Sequence, residues 1–221
     1  MTLKELQYNI LNIARGGVSS DDEKISSRQV KFWINYHRAL AVAEDYKRGG
    51  SIHPQLVQDL GCVQLTEADK GECASASWGE KIMKATLPKL VELPKNRGLA
   101  FVGLIDKQTP IAPSSSGTVH FAQYKRVGAN LRRYYTIGDS LYIATSDPKD
   151  NLTYVNVRGV FEDPTSISVC SSTGTCVCFD ESTDKYPIPA KYVALITERI
   201  LKGELGYVLQ TPNDEDNDAN L

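Results

Sequence analysis

Five cysteines and three histidines are the residues of this chain whose chemistry could build a metal or nucleophilic site. Three of the cysteines, Cys170, Cys176 and Cys178, lie close together, and three thiolates with one further ligand could hold zinc. Only one residue separates Cys176 from Cys178, whereas the two cysteines of a structural zinc pair are typically separated by about two to four residues. The flanking residues predict a β-hairpin with small half-buried side chains instead, so a zinc- or thiol-dependent protein is kept as an alternative only.

The other two cysteines, Cys62 and Cys73, make the total odd in a chain that starts without a signal-peptide pattern. Thiols of cytoplasmic proteins are kept reduced, so we expect free cysteines rather than a disulfide framework. The same start of the chain predicts synthesis in a cytoplasm.

Motifs of enzymes are missing from the sequence. His37, His53 and His120 are scattered and do not form a His-Glu-x-x-His pair. There is also no Gly-x-Ser-x-Gly, no phosphate-binding loop and no dinucleotide glycine pattern. We therefore predict no catalytic residue, no cofactor and no metal site, and we expect that the protein is not an enzyme.

Composition and charge exclude further classes of protein. The chain has 221 residues, of which 41% are hydrophobic and 24% charged, as in globular proteins. Its net charge is −2, and without the acidic end at residues 213–221 the charge would be slightly positive. A nearly neutral body argues against a dedicated nucleic-acid-binding domain, and no apolar run is long enough to predict a membrane helix.

One segment nevertheless has an excess of positive charge. Residues 107–138 contain lysines, arginines and tyrosines but no acidic residue, and such a stretch can grip a phosphate backbone. The alternative is a solvated loop whose arginines pair with acidic residues. The basic candidates for contact with DNA or with a neighbouring protein are Lys125, Arg126, Arg132 and Arg133.

Apolar residues at helical spacing predict two helices before residue 50. The first follows a capping box formed by Thr2 and Glu5 and buries Leu3, Leu6, Ile10 and Ile13. The second follows Ser26, runs over residues 27–48 and ends at Gly49-Gly50. The residues at helical spacing along it are Val30, Trp33, Ile34, His37, Leu40, Ala41 and Tyr46.

Short apolar runs between turn formers predict a mainly antiparallel β-region over residues 55–163. Gly138-Asp139 joins two of these strands as a hairpin, and residues 152–161 are predicted to form a third strand beside it. Separate short strands are predicted at residues 57–60 and 62–65, and the run 99–105 gives the strongest signal of a buried strand.

A last helix is predicted from Pro189, at its first helical position, to Gly203 or Gly206. Residues 207–212 then form an extended apolar patch before the acidic end. The predicted fold class is α+β, in which a helical base from the N- and C-terminal segments carries an inserted, mainly antiparallel β-domain. The predicted parts are residues 1–53 (helical), 54–186 (β-rich), 187–206 (C-terminal helix) and 207–221 (extended acidic docking tail).

Several segments along the whole chain resemble one family. Residues 1–6, 26–39, 54–63, 103–107, 154–164 and 209–212 are similar to the virion structural proteins of crAss-like bacteriophages. The order of helices, inserted β-domain and C-terminal helix with a tail is also similar to head-to-tail adaptors of short-tailed phages. These segments contain structural residues and no chemical motif.

The resemblance implies a homo-oligomeric ring, twelve-fold in such families, in the neck of the virion below the portal. Its implied partners are the portal protein, other neck or tail ring proteins and the double-stranded DNA that passes through the lumen. A tail-completion or stopper protein of the neck is the alternative. The predicted portal-docking residues are Tyr207, Val208, Leu209, Gln210, Thr211 and Pro212, and the predicted ring-interface residues are Trp33, Tyr36 and His37.

Overall fold

The computed structural model describes residues 1–15, 25–68, 81–93, 98–119, 121, 131–145, 150–170 and 176–208. Its helices lie at the two ends of the chain and its strands lie between them. The helices are α1 (Leu3–Ala14), α2 (Ser27–Gly49), α3 (Ala190–Arg199), a π-helical turn (Ile200–Glu204) and α4 (Leu205–Val208). A 3₁₀ turn at Pro54–Leu56 leads into the strands. The α+β fold class is confirmed.

Local sequence signals explain where the first two helices begin and end. Thr2 and Glu5 form the predicted capping box, each side chain bonding to the other's backbone N–H. Ser26 caps α2 by accepting a hydrogen bond from the backbone of Gln29. Gly50 ends α2 in the left-handed conformation, with φ +66°, which glycine adopts at low cost.

In the described part of the chain, ten strands form two five-stranded sheets. They are β1 (Gln58–Gln64), β2 (Thr66–Glu67), β3 (Lys81–Thr86), β4 (Leu99–Gly103), β5 (Ala112–Pro113), β6 (Arg133–Ile137), β7 (Ser140–Thr145), β8 (Tyr154–Gly159), β9 (Ser168–Cys170) and β10 (Cys176–Cys178). The first sheet has the order β10-β9-β1-β8-β4 and the second has the order β2-β3-β7-β6-β5. The pairing is antiparallel except between β1 and β9 and between β5 and β6.

Two details of the predicted strands are wrong. Strand β8 does not lie beside the β6–β7 hairpin but pairs with β1 and β4 in the other sheet; local alternation does not reveal which sheet a strand joins. The runs 57–60 and 62–65 belong largely to one strand, β1, because a bulge at Gly61, with φ +69°, carries the strand across the predicted break.

The strands and helices are built around two main cores. Apolar side chains of both sheets meet in one core, to which Leu141, Ile143, Val155 and Val157 contribute. The inward faces of α1, α2 and α3 share the other core with residues of the connections to the β-domain. Ile13, predicted to be buried, is exposed because it lies on the outer side of α1.

Arg38 joins the helical core to the β-domain. Its side chain is fully buried, and its guanidinium donates to the carbonyl oxygens of Pro187 at 2.9 Å and Phe161 at 2.8 Å. A longer contact of 3.5 Å reaches the carbonyl of Leu56. These three acceptors precede α3, follow β8 and precede β1, so one α2 side chain fixes three chain connections against the helix.

The C-terminal helical segment is longer than predicted. Pro189 is the N-cap of α3 rather than its first helical residue, because its backbone is extended with ψ 147°. The segment then continues past Gly203 through the π-helical turn, which accommodates one extra residue per turn, and ends with α4 at Val208. The backbone of Tyr207 and Val208 is therefore helical rather than extended.

Strands β9 and β10 form the predicted hairpin, with Cys176 directly opposite Cys170. Cys176 is disulfide-bonded, so the expectation of reduced cysteines is wrong at this position. Cys62 and Cys178 are free.

Candidate assembly interface

Helix α2 carries large apolar side chains on its exposed face. Phe32 is 64% exposed, Tyr36 53% and Leu40 39%. Residues four apart lie on the same face of a helix, so the three form one stripe along three successive turns. The rings of Phe32 and Tyr36 stack with their centroids 6.3 Å apart. We call these three residues the α2 stripe.

The α2 stripe borders a groove of about 540 Å³ between α2 and two connections of the β-domain. Ala39 and Ala43 contribute small side chains on the helix side, and Val91 contributes an apolar side chain on the other. The charged residues that line the groove are Lys89, Glu92, Glu162 and Asp163. The groove is therefore apolar along α2 and rich in carboxylates along its opposite edge.

Hydrogen bonds hold one wall of the groove against α2. The side-chain amide nitrogen of Asn35 donates to Asp163 at 3.0 Å, and the hydroxyl of Tyr186 donates to the side-chain Oδ1 of Asn35 at 2.6 Å. Asp163 also accepts hydrogen bonds from the backbone and hydroxyl of Thr165. Because this network fixes both sides, the groove is preformed in the single chain.

Polar contacts tie the C-terminal half of α2 to α3. Asp45 accepts hydrogen bonds from Lys191 and from the hydroxyl of Tyr192, and Arg199 donates to Glu44 at 2.7 Å. The hydrogen bond from Lys191 lowers the pKa of the Asp45 carboxyl below its usual value. The exposed face of α2 thus belongs to a helix that is fixed along its length.

Only Tyr36 of the three predicted ring-interface residues is available on the surface of the chain. Trp33 is 7% exposed and His37 is 8% exposed, because both lie on the side of α2 that faces the helical core. The Nε2 atom of His37 is 3.4 Å from Oε1 of Glu204 but makes no hydrogen bond there. The exposed neighbours of Tyr36 on α2 are Phe32 and Leu40. The helical spacing grouped Leu40 with Trp33 and His37, but Leu40 is exposed.

A second exposed surface with apolar side chains lies on helix α1. Tyr8 is 69% exposed and Ile13 is 55% exposed. The polar residues Asn9 and Asn12 are exposed between them. We call these four residues the outer face of α1; the opposite side of α1, with Leu3, Leu6 and Ile10, is buried in the helical core.

A larger groove, of about 1050 Å³, lies between the β9–β10 hairpin and the start of α3. Val169 and Val177 are directly opposite each other in the hairpin and are exposed at its edge. This apolar pair and the α2 stripe lie on different elements, so the described surface presents apolar patches in the β-domain as well as on the helices.

The four predicted basic residues differ in their surroundings. Arg132 forms a bidentate ion pair with Asp150, with distances of 2.6 and 2.9 Å, and this hydrogen bonding lowers the pKa of the Asp150 carboxyl. The Nε atom of Arg133 is buried without a hydrogen-bond partner. Lys125 and Arg126 lie outside the described residues. The charge of Arg132 is therefore balanced within its own chain.

The predicted portal-docking residues begin at residue 207, next to residue 208, where the described part of the chain ends. The backbone of Tyr207 and Val208 belongs to α4, and Leu209, Gln210, Thr211 and Pro212 lie outside the described residues. Leu205, at the start of α4, is buried in the helical core. The segment that follows is thus attached to the helical part of the molecule.

Two further tests of the described residues concern metal and membrane. Within the described ranges, no group of three or more His, Cys, Asp or Glu side chains is arranged to hold a metal ion. None of the helices in that part of the chain is long and apolar enough to cross a membrane.

Sequence reasoning missed most of the stripe because it followed only one face of α2. Phe32, Tyr36 and Leu40 recur every four residues and give a second apolar face. A helix with apolar residues on two faces is expected to be covered on both sides. That pattern was the available signal.

Comparison with known proteins gives the family. A family model described as phage tail ring protein 2, of crAss-like phages, matches residues 5–220. No curated protein matches the chain. Since the match covers nearly the whole sequence, the chain belongs to the tail ring protein 2 family of crAss-like phages and is a structural ring protein of the phage particle.

Proposed function

We propose that this protein forms a closed ring in the head-to-tail connector, below the portal, where it attaches the tail and helps to retain and channel the genome. The observation that carries the proposal is the exposed apolar stripe on α2 in a member of a ring-protein family. Exposed aromatic residues on successive turns favour a protein contact, because interfaces are enriched in such side chains.

Closure of the ring follows from the geometry of the contact between copies. A surface that binds a different surface on the next copy produces a ring when the rotation between copies divides a full turn. Twelve copies, as the family resemblance implies, would require a rotation of about 30° per copy. A helix fixed by Arg38 and by ion pairs to α3 is a suitable element to set that angle, because it cannot turn relative to its own protomer.

The internal ion pair of Arg132 bears on how DNA passes through such a ring. A lumen that bound phosphates tightly through many arginines would slow the passage of DNA, since each phosphate contact adds affinity. Arg132 is already paired with Asp150. We therefore propose that Arg132 makes few contacts with the phosphates of passing DNA. Lys125 and Arg126 remain candidates for such contacts.

Docking on the portal is assigned to the chain after Val208, with Tyr207 and Val208 at its base. The segment combines apolar residues at 209–212 with an acidic end at 213–221. A segment that becomes ordered on binding pays an entropy cost but can cover a large surface of its partner. Its attachment beside the buried Leu205 would transmit the docking to the helical base.

Removal of residues 209–221 tests the docking directly. The shortened chain keeps all described helices, so we expect unchanged circular dichroism and thermal unfolding but at least a tenfold loss of binding to purified portal rings. The matched control removes residues 213–221 only and keeps the apolar part. Full portal binding by the chain that lacks residues 209–221 would contradict the proposed docking role.

A further inference from the structure

We propose that the groove beside the α2 stripe receives the outer face of α1 from the adjacent copy, so that α1 and α2 form the repeating contact of the ring. This inference rests on the proposed ring and names the two surfaces that would close it. The occupant is a second copy of this chain.

The two surfaces are distinct, as a ring contact requires. Helices α1 and α2 turn their inner faces to the same core, and none of the described lining residues of the groove comes from α1. The groove and the outer face of α1 are therefore separate parts of one surface. Two separate, complementary patches favour head-to-tail assembly over a two-fold dimer, in which one patch would meet itself.

The lengths of the two surfaces agree. Helix α1 has 12 residues, and the part of α2 that lines the groove runs from Phe32 to Ala43. At 1.5 Å per residue, each spans about 17 Å. A neighbouring α1 laid along α2 would cover the whole stripe.

Side-chain sizes also fit. Ala39 and Ala43 leave space on the α2 side of the groove, where larger residues of a second helix can enter. Tyr8 and Ile13 are the large residues on the outer face of α1. Burying them against Phe32, Tyr36 and Leu40 would remove five exposed apolar side chains from water in one contact.

Charge favours the same arrangement. The lining of the groove carries three carboxylates, of Glu92, Glu162 and Asp163, against the single ammonium group of Lys89. The exposed charged side chains of α1 that precede its outer face are Lys4 and Glu5. The ammonium group of Lys4 could pair with a carboxylate of the groove, and such a pair would fix the direction of docking.

Two substitutions on the two surfaces test the pairing in solution. Tyr8→Asp disables the outer face of α1, and Tyr36→Asp disables the groove. Both tyrosines are exposed, so each variant should unfold at the wild-type temperature. Ile137→Asp, at an exposed position in the β-domain, is the matched control and should assemble as wild type does. Assembly is measured by sedimentation velocity and mass photometry from micromolar concentrations to about 1 mM.

The expected result is specific to a contact between two different surfaces. Each variant alone should be a monomer, whereas an equimolar mixture of Tyr8→Asp and Tyr36→Asp should form dimers and nothing larger, because only one competent pair of surfaces remains. Dimer affinity should exceed the self-association of either variant at least tenfold.

Three results would overturn the proposal. Rings formed by Tyr8→Asp alone would show that α1 is not the occupant, and a mixture that stays monomeric would show that the two faces do not bind each other. A wild-type chain that is monomeric at every concentration would show the same. The first result leaves the proposed ring in place, and none of them changes the portal-binding test of the shortened chain, so the two proposals fail separately.

Discussion

The helical base and the β-domain differ in how exposed apolar residues are arranged on their surfaces. On the helical base, exposed apolar residues follow one another along single helices, as in the α2 stripe. In the β-domain, apart from the Val169–Val177 pair, exposed residues such as Ile105, Leu131 and Ile137 are on separate strands and loops. Continuous apolar faces are the kind that proteins cover with a partner.

Charges do not distinguish the two regions, because charged side chains are paired within the chain in both, as Lys191 is with Asp45 between α3 and α2. In the β-domain, Asp59 accepts from Lys107 and from Asn156, and Arg132 pairs with Asp150. These contacts satisfy polar groups within one chain. The comparison teaches that the β-domain is largely complete by itself, whereas the helical base presents a surface that a second copy can complete.

Loss of the connection between the two regions should have the largest effect. Arg38→Met would remove hydrogen bonds to the carbonyls of Phe161 and Pro187 and leave both acceptors unpaired. We expect the free energy of unfolding to fall by about 4 kcal/mol, measured by urea denaturation. Arg28→Met, at an exposed position of the same helix, is the control and should change it by less than about 0.5 kcal/mol. Equal effects of the two substitutions would contradict the role of Arg38.

Neighbouring residues on α2 should separate stability from assembly. Trp33→Ala would leave a cavity in the helical core and should lower the free energy of unfolding by about 3 kcal/mol. Phe32→Ala should change it by less than about 0.5 kcal/mol, because the ring is exposed in the single chain, but should weaken assembly. Denaturation and sedimentation of both variants measure the two effects. If the Trp33→Ala variant kept the stability of the wild type but failed to assemble, Trp33 rather than Phe32 would lie on the assembly face of α2, which contradicts the account.

The ion pair of Arg132 should give a smaller, pH-dependent effect. We expect Asp150→Asn to lower the free energy of unfolding by about 2 kcal/mol at pH 7. Because the folded state lowers the pKa of Asp150, this stabilisation is present above the ordinary carboxyl pKa, about 4, and is lost as the pH falls below it. Unfolding of both proteins from pH 7 to pH 2.5 measures the difference. A difference that persists unchanged at the lowest pH would contradict the ion pair.

A backbone effect should be the smallest. Gly138 has φ +57° in the β6–β7 turn and open space where a Cβ would be, so Gly138→Ala should cost about 1 kcal/mol through conformation alone. Gly49→Ala, in the last turn of α2 with open space around it, should instead stabilise the chain by about 0.5 kcal/mol. Thermal unfolding of the two variants shifts in opposite directions if the β-hairpin requires the left-handed glycine.

Local features of the fold could be predicted from the sequence. The capping box at Thr2, the cap at Ser26, the end of α2 at Gly50 and the turn at Gly138 depend on neighbouring residues alone, and the structure confirms each of them. The pairing of β8 depends on contacts across the whole domain, and the local pattern gave no sign of its partner strands.

The candidate site was predicted less well. The predicted helix α2 is present and Tyr36 is exposed on it, but Trp33 and His37 face the core. Periodicity shows that a helix has an apolar face, but it does not show whether that face is covered by the same chain or by a partner. No pattern in the sequence distinguishes Arg38 from the other arginines of α2. Its burial follows from three carbonyls that only the folded chain brings together.

The most direct measurement is a cryo-EM reconstruction of the head-to-tail connector of the intact phage particle, in which each copy of this chain can be traced. The account predicts a closed ring in which the α2 stripe of every copy is buried against the next copy. A ring in which Phe32, Tyr36 and Leu40 face solvent, or a particle in which the chain is not arranged as a ring, would contradict it.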